Sequence, residues 1–418
     1  MTTNRNITII SAVFPPEPQV SARMSFDLAN CLADQGYGIT VLCPQPSRPL
    51  NADYSRYKHT DKVVEICENG IKVVRLPSFV APQSRLLPRM WESFSFGRKV
   101  VNYLAAEQKM PTALYVNSWP IFAQAVIAQF ARKNGIPMVL QIMDIYPEAL
   151  TSNLPAVLQS VINSPLKRLD AWIARASVTV VVISENMRRV YTEDRQLPSE
   201  SVVTIPTWQD EAVFDTIPPR AETCSRYGIP PHLFTFLFLG NIGPVAGVDL
   251  LIHAFAEADI PDAQLVIAGD GTAKSDCIKL TNQLKLSRVH FISDPESANV
   301  PMLQSMAHVC MLPMKRGAGM SSIPSKLPSY LFSAKPVIAT VDNNSDTARF
   351  VRKAECGWVG ESEDLHWLAN TMNEVYKLPM KLLEETGSRG KEYGLAHFSK
   401  SAGVVRLAYS IIQAAGVN

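Results

Sequence analysis

The sequence predicts an α/β protein made of two Rossmann-like, doubly wound domains, each built on a parallel sheet. Short runs rich in β-branched residues alternate with longer segments of helical periodicity, which is typical of parallel strands joined by crossover helices. The chain has 418 residues, enough for two hydrophobic cores. A proline-rich stretch with little periodicity, residues 205–220, lies near the middle, where a linker is expected.

The first predicted strand is ITIISAV, residues 7–13. Pro15 and Pro16 end this apolar run and no small-residue cleavage site follows, which favours a strand over a signal peptide. The other strands predicted for the first domain are 39–43, 71–76, 113–117, 137–143 and 178–184. Those predicted for the second domain are 234–240, 263–269, 288–292, 308–314 and 335–340. We therefore predict a first domain at 1–207, a second at 208–395, and a C-terminal helix at 396–418 that packs back toward the first.

Composition excludes several classes of protein. A formal charge of +2 is too small for a nucleic-acid binder that works by bulk electrostatics. The seven cysteines are scattered without a C-x-x-C pair, which argues against a disulfide framework or zinc site and for thiols in a reducing cytoplasm. There is neither a D-x-D nor histidines at ligand spacing, so no metal is required, and no G-x-G-x-x-G indicates a dinucleotide. No apolar run is long enough to span a membrane.

The loops that follow the strands are the candidate sites, because ligands of open parallel sheets bind beyond the carboxyl ends of the strands. Two of these loops are rich in glycine, GNIGPVAG and GDG, so their backbone can approach a ligand closely. Packing alone, or a tight turn, would also explain the glycines. The candidate residues there are Gly240, Asn241, Gly243, Gly269 and Asp270.

A third loop, RGAGMSSIPSK, combines small residues with positive charge. Lys315 and Arg316 precede the turn, Pro324 suits a first helical position, and Lys326 would lie in the first turn of that helix. Cations at a helix N-terminus oppose the macrodipole, and a bound diphosphate would remove the conflict. The alternative is that Lys326 extends into solvent while the serines cap the helix. The other candidates in this loop are Gly319, Ser321, Ser322 and Ser325.

The first domain offers charged residues at its own strand ends. Asp144 and Glu148 follow a predicted strand, where a carboxylate could orient an acceptor hydroxyl or make a structural hydrogen bond. Arg23 lies beside a predicted helix start and is either an anion contact or a solvated charge.

A basic and aromatic segment, SRLLPRMWESFSFGRKVVNYL at 84–104, has two interpretations. It suits an anionic membrane surface because it interleaves Trp and Phe with Arg and Lys. It equally suits an amphipathic helix that buries its aromatic residues against the sheet.

Several motifs follow one another in a specific order: FPPE with SAR, GYGITVLC, D-x-x-P-E from Asp144 to Glu148, GNIG with GVDLLI, AGDG, PSKL with KPVIA, and AECGWV. In that order they cover nearly the whole chain. The chain thereby resembles the retaining GT-B glycosyltransferases of family 4, in the bacterial polysaccharide branch of WbuB-like and colanic-acid-type transferases.

This resemblance implies two domains facing a central cleft and a nucleotide diphosphate sugar as donor, with no cofactor. The loop from Arg316 to Lys326 and residues 240–243 would meet the diphosphate, and residues 291–294 would lie near the base. Glu17, Arg23 and Asp144 would receive the acceptor, a saccharide that in this branch is commonly linked to polyprenyl diphosphate. The enzyme would be cytoplasmic, at the inner face of the cell membrane.

The chain departs from the pattern of these relatives. Many of them carry an E-x7-E pair that grips the donor, where this chain has Ser321 and Ser329. Many also carry an arginine and a lysine where Asn241 and Ala246 stand here. The resemblance then leaves Lys315, Arg316 and Lys326 to meet the phosphate charge.

Two other functions stay open on the same architecture. A sugar-nucleotide 2-epimerase would need carboxylates around the sugar ring, where serines stand. A non-catalytic GT-B partner subunit would explain the missing glutamates. A dehydrogenase is disfavoured by the absence of a dinucleotide fingerprint.

Overall fold

The structure is a computed structural model that describes residues 5–416, apart from 50–51, 58–60, 68, 81–85, 118–120, 152–154, 294–298 and 320–322. The chain forms two α/β units. The first comprises Met1–Thr207 and Gly403–Asn418, and the second Trp208–Ala402. Each unit contains one sheet whose strands are all parallel except for one edge strand of the first. The predicted fold class of two doubly wound domains is confirmed.

The strands are β1 (Asn6–Ser11), β2 (Gly38–Pro44), β3 (Val63–Ile66), β4 (Lys72–Leu76), β5 (Ala113–Asn117), β6 (Met138–Ile142), β7 (Thr179–Val182), β8 (Val202–Thr204), β9 (Phe234–Leu239), β10 (Ala263–Ala268), β11 (Val289–Ile292), β12 (Val309–Pro313), β13 (Val337–Thr340) and β14 (Gly357–Gly360).

The helices are α1 (Val20–Asp34), α2 (Leu86–Ala106), α3 (Phe122–Lys133), α4 (Glu148–Thr151), α5 (Ala156–Arg175), α6 (Glu185–Arg189), α7 (Arg220–Arg226), α8 (Val248–Ala258), α9 (Lys274–Gln283), α10 (Val300–Ser305), α11 (Lys326–Phe332), α12 (Asp346–Lys353), α13 (Leu365–Tyr376), α14 (Met380–Phe398) and α15 (Lys400–Ala414).

The first sheet has the strand order β3-β4-β2-β1-β5-β6-β7-β8. All six strands predicted for this domain are present, and β3 and β8 are two that the sequence analysis missed. Both are short strands at the edges of the sheet, and β3 runs antiparallel to β4. The strand order reverses between β1 and β5, so the carboxyl ends of these two strands flank the crevice where ligands of such sheets bind.

The second sheet has the strand order β11-β10-β9-β12-β13-β14. Its five predicted strands are present, and the edge strand β14 was missed. Every residue of the neighbouring strands β9 and β10 is buried, as expected for a sheet covered on both faces. The order reverses between β9 and β12, which places the loops after these two strands at the equivalent crevice of the second unit.

The end of the second unit lies later in the chain than the predicted boundary at 395. The backbone of Ser399 forms a bridge with Gln209, and both carboxylate oxygens of Glu211 accept backbone N–H groups of Lys400 and Ser401. Helix α15 belongs to the first unit from Gly403 onward. Within this unit, Nη2 of Arg406 donates to the carbonyl of Thr204 at 2.8 Å.

Candidate active site

In the second unit, Lys326 lies across the glycine that ends β9. Helix α11 begins at Lys326, so this lysine lies in the first turn as predicted, two residues after the expected first position at Pro324. The N-cap Ser325 makes no side-chain capping bond. The lysine side chain covers Gly240, where a β-carbon would lie only 2.4 Å from Cε of Lys326. Its Nζ sits 4.8 Å from the ring centroid of the buried Phe238. Burial lowers the pKa of this lysine.

The positive charges of the third loop have different surroundings. Nζ of Lys315 forms an ion pair with Asp249 at 2.7 Å and approaches Glu363 at 3.8 Å, so its charge is already matched. A phosphate would have to compete with these two carboxylates, and the predicted contact of Lys315 with a phosphate stays a prediction. Arg316 is exposed on the turn that follows, and the N–H of Gly317 is held by the carboxylate of Asp342 at 2.8 Å. In the described part of the chain, neither Lys326 nor Arg316 forms an ion pair.

The glycines of the two shorter loops serve close backbone packing. A β-carbon on Gly269 would lie 2.0 Å from the carbonyl oxygen of Gly240, and one on Gly271 would lie 2.3 Å from that of Ile242. Oδ1 of Asp270 accepts the N–H of Gly271 at 2.7 Å and so closes its own turn. Asn241 and Asp270 are exposed, Gly240 is half-buried and Gly243 is buried.

The serines and Gly319 of the third loop occupy different environments. Ser325 is exposed, and its carbonyl accepts Nε2 of Gln209 at 2.6 Å. Ser329 is buried, and its hydroxyl donates to the carbonyl of Lys326 at 2.8 Å and accepts Nε2 of Gln304 at 2.9 Å. Gly319 is buried beside Met314. Ser321, Ser322 and Asp294 lie outside the described residues, and the roles predicted for all these residues stay predictions.

In the first unit, a cavity of about 260 Å³ opens at the carboxyl ends of β1, β5 and β6. Asp144 lines it, together with Arg89 and Tyr146. The walls raise the pKa of Asp144 by desolvation although more than a third of its surface is exposed, and the positive charge of Arg89 acts in the opposite direction. Desolvation also raises the pKa of the Tyr146 phenol.

Gln141 lies in the wall of the same cavity, near the end of β6. Its side chain is buried, and its Oε1 accepts the hydroxyl of the fully buried Tyr115 at 3.4 Å. Its Nε2 has no hydrogen-bond partner among the described residues. Oε1 of Gln19, also in the wall, is buried and without a partner there as well.

Glu17 holds the backbone on one side of the cavity. Its Oε1 accepts the N–H groups of Ser47 and Arg48 at 3.0 and 2.9 Å, and burial raises its pKa. The Arg48 side chain lines the cavity and is matched by Glu92, whose two oxygens accept Nη2 of Arg48 at 3.0 and 2.9 Å. Glu17 thus fixes the position of Arg48, and its predicted contact with an acceptor stays a prediction.

Glu148 belongs to a second network of charges. Its carboxylate accepts Nη2 of Arg195 at 2.9 Å and pairs with Lys167 at 2.9 Å, and the two cations together lower its pKa against the effect of desolvation. Nε of Arg195 also donates to Asp170, which lies in the cavity wall, at 2.8 Å. Arg23 is exposed on α1.

Helix α2 has features of both interpretations of the basic and aromatic segment. Phe96 is fully buried in the core of the first unit. Trp91 is 59% exposed, and its ring centroid lies 5.7 Å from that of the exposed Phe94. Arg98 and Lys99 are exposed on the same helix.

Two family models match the chain, one on each unit. The model described as Glycosyltransferase Family 4 matches residues 21–212, and the one described as Glycosyl transferases group 1 matches residues 220–393. The chain is a glycosyltransferase of the GT-B type. Its enzyme class is that of the hexosyl-type glycosyltransferases, EC 2.4.

Curated relatives of this glycosyltransferase include two bacterial proteins. It is 22% identical over 306 residues to the probable glycosyltransferase WbjE of Pseudomonas aeruginosa, covering 72% of this chain and 74% of that protein. It is 22% identical over 352 residues to the putative colanic acid biosynthesis glycosyl transferase WcaI of Escherichia coli (strain K12), covering 80% and 83%.

Solved structures share the fold of this glycosyltransferase over almost its whole length. Sucrose-phosphate synthase from Thermosynechococcus elongatus matches with a TM-score of 0.70 at 18% identity, covering 98% of both chains. Anabaena HepE in complex with UDP matches with a TM-score of 0.69 at 16% identity, covering 98% of this chain and 100% of that one.

Two features of the glycosyltransferase site were missed from the sequence. Gln141 is the one polar residue of the strand MVLQI, a signal that could have marked it. The pair Arg48–Glu92 joins residues 44 positions apart, and nothing local in the sequence indicates that they meet.

Proposed function

We propose that this glycosyltransferase moves a sugar from a nucleotide diphosphate sugar to a saccharide acceptor, with retention of configuration at the anomeric carbon. The observation that carries the proposal is Lys326, a half-buried lysine that no described carboxylate pairs with, lying over the first glycine of the loop after β9. Partial burial of an ammonium without a counter-ion is unfavourable, and a bound anion offsets that cost.

The relatives support a donor and a pathway of this kind. Anabaena HepE has been solved with UDP, with UDP and glucose, and with UDP-glucose. One curated relative is named for colanic acid biosynthesis, and the structural neighbour WaaG is described as involved in lipopolysaccharide biosynthesis. We infer a role in the synthesis of a cell-surface polysaccharide.

The proposed reaction needs two things from the protein: positive charge near the leaving group and correct positioning of the acceptor hydroxyl. The bond between the anomeric carbon and the diphosphate breaks, and Lys326 and Arg316 stabilise the negative charge that develops on the leaving oxygen. The acceptor hydroxyl attacks from the face that the diphosphate leaves, and the departing phosphate takes its proton. Asp144 orients that hydroxyl at the rim of the first unit's cavity.

A panel of nucleotide diphosphate sugars tests the donor. A ligand present at about 100 times its Kd adds roughly 2.7 kcal/mol to the free energy of unfolding, so a true donor raises Tm by several degrees. Incubation of that donor with the enzyme and no acceptor should leave the sugar unchanged. Conversion to its 2-epimer would instead identify an epimerase, and a panel without any stabilising member would contradict the proposal.

We propose that no metal ion takes part, because Lys326 and Arg316 supply the positive charge. Within the described ranges, no group of three or more His, Cys, Asp and Glu side chains could hold a metal ion. Transfer in the presence of EDTA should equal transfer without it. Loss of activity on chelation, restored by Mg²⁺ or Mn²⁺, would contradict the proposal.

We propose further that the acceptor is linked to polyprenyl diphosphate and that α2 meets the anionic inner face of the membrane. No helix in the described part of the chain is long and apolar enough to cross a bilayer. The exposed Trp91 and Phe94 beside Arg98 and Lys99 suit contact with a charged surface.

Sedimentation with vesicles tests this contact. The protein should sediment with phosphatidylglycerol vesicles more than with phosphatidylcholine vesicles, and Trp91→Ser with Phe94→Ser should reduce the bound fraction. Tyr409→Ser is the matched control, since Tyr409 is 62% exposed on α15. Equal binding by both variants would contradict a role for α2.

A further inference from the structure

The charged residues that line the cavity of the first unit balance one another in sign. Its charged wall residues are Arg48, Arg89, Asp144 and Asp170, two of each sign. Arg48 is paired with Glu92, and Asp170 is paired with Arg195. The remaining two, Arg89 and Asp144, have opposite charges and influence each other. The formal charges of the lining thus sum to zero, so the cavity offers no net counter-charge to a ligand that carries one.

The same cavity has hydrogen-bonding groups that the protein leaves unused. The side chain of Gln141 is 2% exposed, and its amide nitrogen has no partner among the described residues. The hydroxyl of Tyr115 donates to Oε1 of Gln141, which leaves Nε2 as the group with hydrogens to offer. Oε1 of Gln19 is a buried acceptor in the same wall. Buried polar groups of this kind are costly unless a ligand or an ordered water completes them.

A second set of contacts ties the strands beside this wall to α1. Nδ2 of Asn117 donates to Oγ of Ser25 at 3.2 Å, and the hydroxyls of Ser25 and Ser11 are 2.8 Å apart. These bonds tie the end of β5 and the end of β1 to α1. Asn117 lines the cavity, so these bonds hold one part of its wall in place.

We propose that this cavity is a subsite for one uncharged sugar ring of the acceptor, and that Gln141 recognises that ring by donating a hydrogen bond from Nε2 to one of its hydroxyl oxygens. The inference rests on the proposed function, because a glycosyltransferase acceptor supplies the ring. A volume of about 260 Å³ is just below the roughly 300–1,000 Å³ of drug-sized sites, so it suits a single ring. A hydroxylated ring offers both donors and acceptors, which the two glutamines require. The subsite should therefore bind a neutral hexose or N-acetylhexosamine in preference to a uronic acid or a sugar phosphate.

Binding of simple sugars to the whole protein tests the subsite. The probes are the methyl glycosides of glucose, galactose, mannose and N-acetylglucosamine, with methyl glucuronide and glucose 6-phosphate as the charged members. Saturation-transfer NMR and calorimetry should detect at least one neutral glycoside, and methyl glucuronide and glucose 6-phosphate should both bind at least tenfold more weakly than that glycoside. Binding of either charged probe to within tenfold of the neutral glycoside, or binding of no neutral glycoside, would overturn the proposal.

Variants of Gln141 test whether this residue contributes to binding of the sugar. Gln141→Met should weaken binding of the neutral glycoside about tenfold, the effect of one lost hydrogen bond to a buried partner. Gln141→Glu keeps the size of the side chain and the acceptor for Tyr115 but loses the two amide hydrogens, so at a pH at which the new carboxylate is ionised it should weaken binding at least as much. Gln264→Met is the matched control, since Gln264 is a fully buried glutamine of a central strand in the second unit. Unchanged binding in Gln141→Glu would exclude Gln141 from the subsite.

Nucleotide-sugar binding separates this proposal from the proposed function. The Gln141 variants should bind a nucleotide diphosphate sugar as the wild type does, because Gln141 belongs to the other unit from Lys326. If the wild type binds neutral glycosides but no nucleotide sugar, the proposed function fails and the subsite stands. If it binds a nucleotide sugar but no glycoside, the subsite fails alone.

Discussion

Lys326 and Gly240 are in such close contact that position 240 has no room for a β-carbon: one placed there would lie 2.4 Å from Cε of Lys326. The backbone of Gly240 also has a φ of +138°, a conformation that L side chains rarely adopt, so glycine is favoured here on two independent grounds. The glycine thus sets the path of the lysine side chain toward Phe238. A substitution at either position should therefore affect the lysine side chain, so the role of Lys326 can be tested at both positions.

Replacement of the lysine should remove most of the activity. Lys326→Met keeps the aliphatic stem over Gly240 and removes the charge, so we expect kcat to fall by about 10²–10³ with a Tm near that of the wild type. Lys315→Met is the comparison, because that ammonium is already paired with Asp249, and its kcat should fall far less. Steady-state transfer with each variant measures the difference. Near wild-type turnover in Lys326→Met would remove this residue from the mechanism.

Replacement of the glycine should displace the lysine. Gly240→Ala should weaken nucleotide-sugar binding because the new methyl group occupies the place of Cε of Lys326. Gly228→Ala is the matched control: it also has a positive φ, of +66°, but its β-carbon would meet nothing within 4 Å. Both variants should lose about 1–2 kcal/mol of unfolding free energy through backbone strain. Calorimetric titration should show weaker donor binding only in Gly240→Ala, and equal affinities would contradict the contact.

His308 should make the second unit sensitive to acid. Its Nδ1 accepts the N–H of Thr235 at 2.8 Å, which requires the neutral ring. Burial, with the nearby charges of Arg220 and Lys335, lowers its pKa to about 3. The contribution of the neutral ring to the free energy of unfolding is complete above the unfolded pKa of about 6.5 and is lost progressively as the pH falls toward 3. At pH 5 the loss is about 2 kcal/mol.

Denaturant unfolding between pH 7 and pH 4 measures this loss. His308→Asn supplies an amide oxygen to Thr235 without a titrating group, so its unfolding free energy should depend less on pH over that range. An identical pH dependence in the variant and the wild type would show that other groups cause the acid sensitivity.

Gly97 should be needed for the packing of α2 on α3. A β-carbon at Gly97 would lie 2.7 Å from the α-carbon of Ala123. Overpacking of this kind costs about 1–3 kcal/mol, against a gain of about 1 kcal/mol in helix propensity. Gly97→Ala should therefore lower the unfolding free energy or leave it little changed, whereas glycine to alanine in an open helix raises it. Arg98→Ala, exposed on the same turn, is the control, and a clear stabilisation by Gly97→Ala would contradict the contact.

Much of the architecture could be predicted because it depends on local pattern. Apolar strands of five to seven residues alternate with amphipathic helices, so eleven strands and the doubly wound class follow from the sequence. The strands β3, β8 and β14 could not be predicted in the same way. Each has only three or four residues and lies at an edge of its sheet, and although β3 and β8 are rich in β-branched residues, each is too short to show a strand pattern by itself.

The sequence alone determined where the candidate sites lie, because the loop after a strand is fixed by the order of the elements. It identified Lys326 and Asp144 in this way. Only the tertiary structure decided which charges are already paired: Lys315 forms an ion pair with Asp249, and Glu148 forms one with Arg195. It also showed that the amide nitrogen of Gln141 has no partner among the described residues. The physical reason is that the cost of a charge or a buried amide depends on its neighbours in space, and those neighbours are tens of residues away in the chain.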